Sequence, residues 1–135
     1  MQKNIYLTTT IPYVNDRPHM GHALELVQAD VIARVWRGRD AHVFFNFGTD
    51  EHGQKILEAA KKAGTPVQEY VNRFAATFEV LRKGLNLSYD AFIRTTDPHH
   101  IAAAQEMWRR CDAAGDIYKK KYSGLYCVGC ERFVT

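Results

Sequence analysis

The amino-acid sequence predicts an α/β protein with a Rossmann-like parallel sheet, and three observations lead to this prediction. The run Ile5-Tyr6-Leu7, followed by threonines, is β-branched and aromatic, as is typical of a strand. A long segment with helical periodicity comes next. It leads to Val43-Phe44-Phe45-Asn46-Phe47, an almost uninterrupted apolar run of the kind found in parallel strands that are covered on both faces.

Strand, helix and strand in this order form a βαβ unit. Its crossover is expected to be right-handed, so the carboxyl ends of both strands should lie at the same edge of the sheet. Pro18 suits the first turn of the intervening helix, and Gly38 suits its end. Between these two positions, apolar residues recur at helical spacing: Leu24, Val27, Val31 and Val35.

Two further helices and a short strand are expected after the βαβ unit. The first helix runs through Ile56 and ends near Gly64. Thr65-Pro66-Val67-Gln68 has the pattern of a capping box, and it opens a helix that ends at Gly84. The apolar face of that helix should pack against the sheet: Val67, Tyr70, Val71, Phe74, Phe78 and Leu81. A short strand is expected around Ala91-Phe92-Ile93.

The last predicted helix begins at Asp97-Pro98, which supply an N-cap and a first-turn proline, and it ends at Gly115. Ile101, Ala104, Trp108 and Cys111 fall on one stripe of this helix. A free thiol on an apolar stripe usually behaves as a small hydrophobe. Cys111 is therefore predicted to pack in a core.

The stretch from Ile11 to His22 lies on the predicted strand-to-helix turn, where open α/β sheets bind ligands. The first turn of a helix offers unpaired N–H groups and the positive end of the helix dipole, so it attracts anions. Gly21 lets a base or phosphate approach the backbone, and His19 and His22 share one helix face. Two such imidazoles can stabilise charge on a phosphoryl group during displacement. The alternatives are a metal half-site or two surface histidines.

The loop Gly48-Thr49-Asp50-Glu51-His52-Gly53 follows the second strand and should emerge beside the histidine turn. Within it, Asp50 is a negative charge that could hold an ammonium group, and Tyr13 of the first loop offers an aromatic wall. Asp50 could instead cap the helix that follows, and Tyr13 could be a half-buried packing residue.

Three cysteines in 135 residues fit a reducing compartment better than a disulfide scaffold. The spacing of Cys127 and Cys130 is that of a zinc knuckle, in which a glycine turn lets two thiolates reach one ion. A structural zinc site needs four ligands, so two more are expected from beyond Thr135. An idle reduced pair and a redox pair are the alternatives.

The net charge and the distribution of apolar residues exclude few classes of function. The net charge of +3 is too mild to indicate nucleic-acid binding by itself. No apolar run approaches the roughly 20 residues that span a bilayer, so no membrane partner is expected. A strand is predicted within a few residues of Met1, which leaves no room for a targeting segment, and the expected location is the cytoplasm.

Together, the segments from Pro12 to His22 and from Gly48 to Gly53 resemble the amino-terminal part of the catalytic domain of the methionyl-tRNA synthetases, which are class I aminoacyl-tRNA synthetases. The resemblance runs through essentially the whole chain. The first motif is shared in altered forms by related class I enzymes, whereas the second loop is specific to the methionine enzymes.

The resemblance implies roles for individual residues. His19 and His22 would flank ATP, which enters with Mg²⁺, and would stabilise the transition state at its α-phosphate, while Gly21 would lie against the adenine. Asp50 would hold the amino group of methionine, and Tyr13 would line its thioether pocket. The main chain around Thr10 and Ile11 would border the amino acid. The methionyl-adenylate would then react with tRNA(Met).

The resemblance also implies what this sequence lacks. The Lys-rich KMSKS loop of the family is not among these residues, so we expect a truncated, amino-terminal piece with little or no aminoacylation activity by itself. Residues 1–115 would belong to the nucleotide-binding catalytic domain. Residues 116–135 would begin a connective insertion with half a zinc knuckle, leaving Zn²⁺ binding possible. At Asp16, where the family commonly has glycine, we expect a left-handed turn of altered rigidity.

Three other functions remain open at this stage. The first is another class I synthetase, which the second loop argues against. The second is a small nucleotidyltransferase with the same histidine turn, which would need neither the Asp50 loop nor the cysteine pair. The third is a non-catalytic module that uses the fold only to bind a partner or tRNA.

Overall fold

A computed structural model describes residues 2–127 and 129–134. The chain divides into two compact units, Met1–Thr96 and Asp97–Thr135, and each is described by itself. The sequence predicted a boundary after residue 115, which differs from the boundary between these units, and it stays a prediction.

The first unit contains a three-stranded sheet and three helices. The sheet has the order β1-β2-β3, and both neighbouring pairs are parallel, which confirms the predicted parallel sheet. The elements follow one another as β1 (Asn4–Thr8), α1 (Met20–Arg37), β2 (His42–Thr49), α2 (Gln54–Lys62), α3 (Val67–Gly84) and β3 (Ala91–Arg94).

The core lies between one face of the sheet and the helices. Phe45 and Phe47 of β2 are buried there against Leu26 of α1, Ile56 of α2 and Phe78 of α3. Full burial of each of these side chains contributes about 1.5–3 kcal/mol to stability.

The prediction that β2 is covered on both faces is wrong for the described residues. Phe44 is 42% exposed on the other face of β2, where it stacks on Tyr6 of β1. The strands run in spatial order across the sheet, and successive right-handed crossovers in one direction place their helices on the same face.

The apolar stripe that predicted α1 does not face the core. Its four members are between 40% and 60% exposed: Leu24, Val27, Val31 and Val35. The buried side of α1 carries Leu26, Ala29 and Ala33 instead. Small alanine side chains allow the helix to approach the sheet closely, so the side of the helix with smaller side chains is the one that packs.

One expected helix cap, at Thr65, and one alternative cap, at Asp50, do not form. Thr65 forms no capping box, because the N-cap of α3 is Pro66 and the Thr65 hydroxyl donates to the Ala63 carbonyl at 3.3 Å. Asp50 does not cap α2, because the N-cap is Gly53, whose φ of 130° requires glycine.

The second unit contains α4 (Pro98–Ala113), with Asp97 as its N-cap, and an antiparallel hairpin of β4 (Leu125–Cys127) and β5 (Arg132–Val134). The expectation that Cys111 packs in a core is wrong. None of the residues of α4 is buried, and Cys111 is half-buried beside an apolar hollow that Trp108 and Ile117 also line. No helix among residues 2–127 and 129–134 is long and apolar enough to cross a membrane.

Candidate functional site

A crevice of about 390 Å³ opens at the carboxyl edge of the sheet, in the loop between β1 and α1. It contains four of the residues to which the sequence assigned a binding or catalytic role, Thr10, Tyr13, His19 and His22. The complete lining is Thr10, Pro12, Tyr13, Asn15, Asp16, Arg17, His19 and His22.

His19 and His22 form a reciprocal cap at the start of α1. Nδ1 of His19 accepts the Gly21 N–H at 3.1 Å, and Nδ1 of His22 accepts the His19 N–H at 3.2 Å. The two rings stack with their centroids 3.8 Å apart. The side chains therefore satisfy two of the N–H groups that a helix start leaves unpaired, and they do so by facing the crevice together.

This capping arrangement sets which ring nitrogen carries the proton. Because each Nδ1 accepts a backbone hydrogen bond, a neutral ring carries its proton on Nε2. Burial against Phe78, whose ring meets His22 edge to face, lowers the pKa of His22, and the neighbouring His19 lowers that pKa further. Near neutral pH, His22 is therefore a neutral Nε2–H donor.

Gly21 has a local reason to lack a side chain. A Cβ there would lie 2.9 Å from Cε1 and 3.1 Å from Nδ1 of His19, so any other residue would displace the capping ring. The sequence predicted that a base or phosphate would approach the backbone at Gly21. Part of that space is already occupied by the ring of His19.

The first loop is anchored to the rest of the unit by two contacts. Val14 is fully buried in the core, although its neighbours Tyr13 and Asn15 are exposed. The Tyr70 hydroxyl of α3 donates to the Asn15 carbonyl at 2.8 Å. These contacts hold the crevice lining rigid before the chain enters α1.

Asp16 does not adopt the left-handed conformation that its position suggested. The non-glycine residues with positive φ in the described chain are Asp40, Asn86 and Glu131. The Asp16 carboxylate accepts the Arg17 N–H at 2.7 Å, so an ordinary turn accommodates aspartate where a glycine was expected.

Asp50 lies next to the first loop, as predicted, but it does not line the crevice of the histidines. The Asp50 N–H donates to the Pro12 carbonyl at 2.9 Å, and Tyr13 and Asp50 form a parallel β-bridge. Its carboxylate accepts the His52 N–H at 3.1 Å and lies 3.4 Å from the Thr95 hydroxyl. Asp50 is thus on the same edge of the sheet as Tyr13.

Thr10 and Ile11 lie just after the end of β1. Thr10 contacts Glu25, a residue that was not predicted from the sequence. Glu25 of α1 accepts the Thr10 N–H at 2.8 Å and the Thr10 hydroxyl at 2.6 Å. Ile11 is 40% exposed. Glu25 could have been found from the sequence, because residues 19, 22 and 25 recur every three positions and share a helix face.

Sequence reasoning also missed the buried pair of Glu51 and Arg94. Glu51, next to Asp50, is 3% exposed, and its two carboxylate oxygens lie 2.6 and 2.9 Å from the Arg94 guanidinium. Burial would raise the pKa of Glu51, but hydrogen bonds from Arg94, Thr96 and Thr49 outweigh it and hold that pKa below its ordinary value. No local signal marks Arg94, because it is 43 residues away in sequence.

The cysteine pair lies in the second unit, at the turn of the β4–β5 hairpin. The Cys130 N–H donates to Sγ of Cys127 at 3.3 Å, so the two cysteines lie close together. Among the described residues, no three His, Cys, Asp or Glu side chains form a group that could hold a metal ion. The donor set fits zinc only as half of a site. Val128 lies outside the described residues.

Comparison with known proteins gives one family. The sequence profile described as "tRNA synthetases class I (M)" matches residues 5–135. The "Methionine--tRNA ligase" of Mycobacterium leprae is 50% identical over 128 residues, which is 95% of this chain and 24% of that protein. The chain therefore spans about a quarter of the length of this curated relative.

Solved structures agree with this similarity. The chain matches a Mycobacterium tuberculosis methionyl-tRNA synthetase in complex with methionyl-adenylate at a TM-score of 0.94 and 48% identity, over 98% of this chain and 26% of that one. A LeuRS from Agrobacterium radiobacter K84, solved in a ternary complex with tRNA, matches at a TM-score of 0.75 and 24% identity over 87% of this chain and 15% of that one, which shows the fold alone.

Proposed function

Because the chain belongs to the class I tRNA synthetases (M), we propose that it forms the nucleotide-binding part of an enzyme that activates methionine with ATP and transfers it to tRNA(Met). The observation that carries this proposal is the pair of stacked imidazoles at the start of α1, beside the Tyr13–Asp50 bridge. The structural relative with bound methionyl-adenylate supports it.

In the first reaction, a carboxylate oxygen of methionine attacks the α-phosphorus of ATP. A new phosphorus–oxygen bond forms, the bond from the α-phosphorus to the oxygen of the β-phosphate breaks, and pyrophosphate leaves. His19 and His22 would donate through Nε2–H to the phosphoryl oxygens as negative charge builds up on them. Donors that helix capping already fixes need no reorganisation during the reaction. Gly21 would allow the adenine to approach the helix start.

Methionine would bind beside the Tyr13–Asp50 bridge. The carboxylate of Asp50 would pair with the ammonium group of methionine, and the Tyr13 ring would contact the thioether chain. The main chain at Thr10 and Ile11 would border the substrate. The Glu25 carboxylate, which accepts two hydrogen bonds from Thr10, holds that main chain in place. These assignments rest on contacts among protein residues and on the family resemblance.

For the connective insertion, we propose zinc bound by Cys127 and Cys130 together with two ligands from residues that this chain does not include. The hydrogen bond from the Cys130 N–H to Sγ of Cys127, which holds the two cysteines close together, supports this proposal. When bound, zinc would cross-link the hairpin and would take no part in the reaction. The cytoplasm, where tRNA charging serves translation, is the proposed location.

The proposal is tested by amino-acid-dependent exchange of pyrophosphate into ATP. We expect the complete enzyme, meaning this sequence joined to the remaining length that its relatives have, to exchange with methionine and not with leucine, isoleucine, valine or cysteine. The chain alone should show little or no exchange, because the KMSKS loop is not part of it. Exchange that depends on another amino acid would contradict the methionine assignment, and full activity of the chain alone would contradict its incompleteness.

A non-catalytic role is separated by calorimetry of the complete enzyme with ATP and with methionine. A scaffold that only binds tRNA should bind neither small molecule. A nucleotidyltransferase of another kind should bind ATP and show no dependence on an amino acid.

A further inference from the structure

The buried carboxylate of Glu51 lies directly beside Asp50, and the two side chains have opposite environments. Thr49 and Glu51 are buried, at 0% and 3% exposure, whereas Asp50 between them is only half-buried. Side chains alternate along extended backbone, so anchoring residues 49 and 51 on one side directs residue 50 to the other. The environment of Glu51 therefore sets where Asp50 points.

The anchoring of Glu51 is unusually complete for a carboxylate next to a binding loop. Oε1 accepts from Nε of Arg94 at 2.6 Å and from the Thr49 hydroxyl at 3.0 Å. Oε2 accepts from Arg94 at 2.9 Å and from the Thr96 hydroxyl at 2.5 Å. Each partner lies on or just after a strand of the sheet, so the loop is tied to both β2 and β3.

A second tie joins the same strand to Asp50 itself. The hydroxyl of Thr95 accepts the Glu51 N–H at 2.8 Å, and it lies 3.4 Å from the Asp50 carboxylate. Thr95, which directly follows β3, thus contacts the backbone of Glu51 and the side chain of Asp50. A shift of the loop by one residue would exchange the two carboxylates and break both sets of contacts.

We infer that Glu51 is a positioning residue for the amino-acid substrate: with Arg94 and Thr96 it locks the register of the loop, so that Asp50 and not Glu51 presents its carboxylate to the substrate ammonium group. This inference rests on the proposed function. Arg94 neutralises the charge of Glu51, and the lowered pKa of Glu51 keeps that pair ionised over the working pH range. Asp50 then supplies the negative charge for recognition, and Glu51 acts only through it.

The test is Glu51→Gln in the complete enzyme, assayed by pyrophosphate exchange. The amide keeps the shape but loses an acceptor, and its NH₂ faces donors, so the loop loses its lock. We expect the KM for methionine to rise about tenfold, with the kcat and the KM for ATP changed less than about twofold. An unchanged methionine KM, or an equal rise for both substrates, would overturn the inference.

Asp30→Asn is the matched control. Asp30 is also a buried carboxylate, bound to Arg34 and Ser88, but it lies in the middle of α1 rather than in the loop of Asp50. Both variants should lower the melting temperature. Only Glu51→Gln should change the methionine KM, and a similar rise in Asp30→Asn would mean that general destabilisation is responsible.

Thr96→Val provides a milder probe if Glu51→Gln does not fold. It removes one donor to Glu51 at nearly constant volume, and we expect the methionine KM to rise about threefold. No change there would overturn the inference. Failure of the proposed function is distinguishable, because the unmodified enzyme would then show no methionine-dependent exchange.

Discussion

At the scale of single residues, the proposed function gives structure and chemistry to different atoms of the His19 and His22 rings. Nδ1 of each ring accepts a backbone N–H at the start of α1, which leaves Nε2 for a ligand. Helix capping contributes about 1 kcal/mol per cap, so the helix itself stabilises the reactive orientation of the rings. Under the proposed function, substitution at these positions should therefore change both helix stability and catalysis.

Two substitutions separate the roles of the two loops in the complete enzyme. Asp50→Ala should raise the methionine KM about 10- to 100-fold and the ATP KM much less, because it removes the proposed partner of the ammonium group.

His22→Ala should lower kcat about 100-fold with little change in methionine affinity, because it removes a donor proposed to act in the transition state. Steady-state exchange kinetics with each substrate varied in turn measure both effects. Equal effects of both changes on both substrates would contradict the assigned roles.

At the scale of elements, the site depends on how closely β2 and β3 approach each other. Gly48 of β2 is buried beside Ile93 of β3, and a Cβ at Gly48 would lie 2.1 Å from the Ile93 carbonyl oxygen. The neighbouring atoms belong to the backbone, so they cannot move aside as a flexible side chain can. Glycine is required there by strand approach and not by a special φ. The loop that carries Asp50 and Glu51 begins directly after this contact.

Gly48→Ala should therefore lower the free energy of unfolding of the chain by about 3 kcal/mol or more, because the strands must separate to admit the methyl group. Chemical denaturation followed by circular dichroism measures the change. Gly84→Ala is the matched control, because no atom lies within 4 Å of its added Cβ, and it should alter stability by less than about 1 kcal/mol. A Gly48→Ala protein as stable as the parent would contradict the close packing of the strands.

At the scale of the whole molecule, three groups among the described residues make stability depend on pH in the acid to neutral range. Burial lowers the pKa of His22, and hydrogen bonds with arginines and hydroxyl groups hold the pKa of Glu51 and Asp30 below their ordinary values despite burial. In each case the unfolded chain binds protons more readily than the folded chain as the pH falls. Stability therefore rises with pH through each of these titrations.

We expect acidification to destabilise the chain in two stages. The first stage begins as the pH falls through about 6.5, the ordinary pKa of histidine, and it should be absent in His22→Gln. The second stage follows as the pH falls below the ordinary pKa values of 4.5 for Glu51 and 3.8 for Asp30, and it should shrink in Glu51→Gln. Urea denaturation between pH 8 and pH 3 measures both. A parent chain that gains stability between pH 7 and pH 5 would contradict the lowered pKa of His22.

The sequence by itself determined the order of the elements of the first unit and the histidine turn, because both depend on local patterns. Strand composition, helical periodicity and glycine stops act within a few residues, and His19, Gly21 and His22 satisfy one another within one turn of α1. The predicted strand around Phe92 and the parallel pairing of β1 with β2 followed from the same patterns, whereas the pairing of β3 with β2 was not specified by them.

Only the tertiary structure decided which surfaces are covered and which carboxylate is buried. The apolar stripe of α1 that contains Leu24 was expected on periodicity, yet the alanine-rich side packs, because the distance between helix and sheet selects small side chains. Asp50 and Glu51 are adjacent carboxylates, and no local pattern in the sequence shows which of them is buried. Arg94, which reaches them through the β2–β3 pairing, buries one and leaves the other at the edge of the site, and that choice requires a partner 43 residues away.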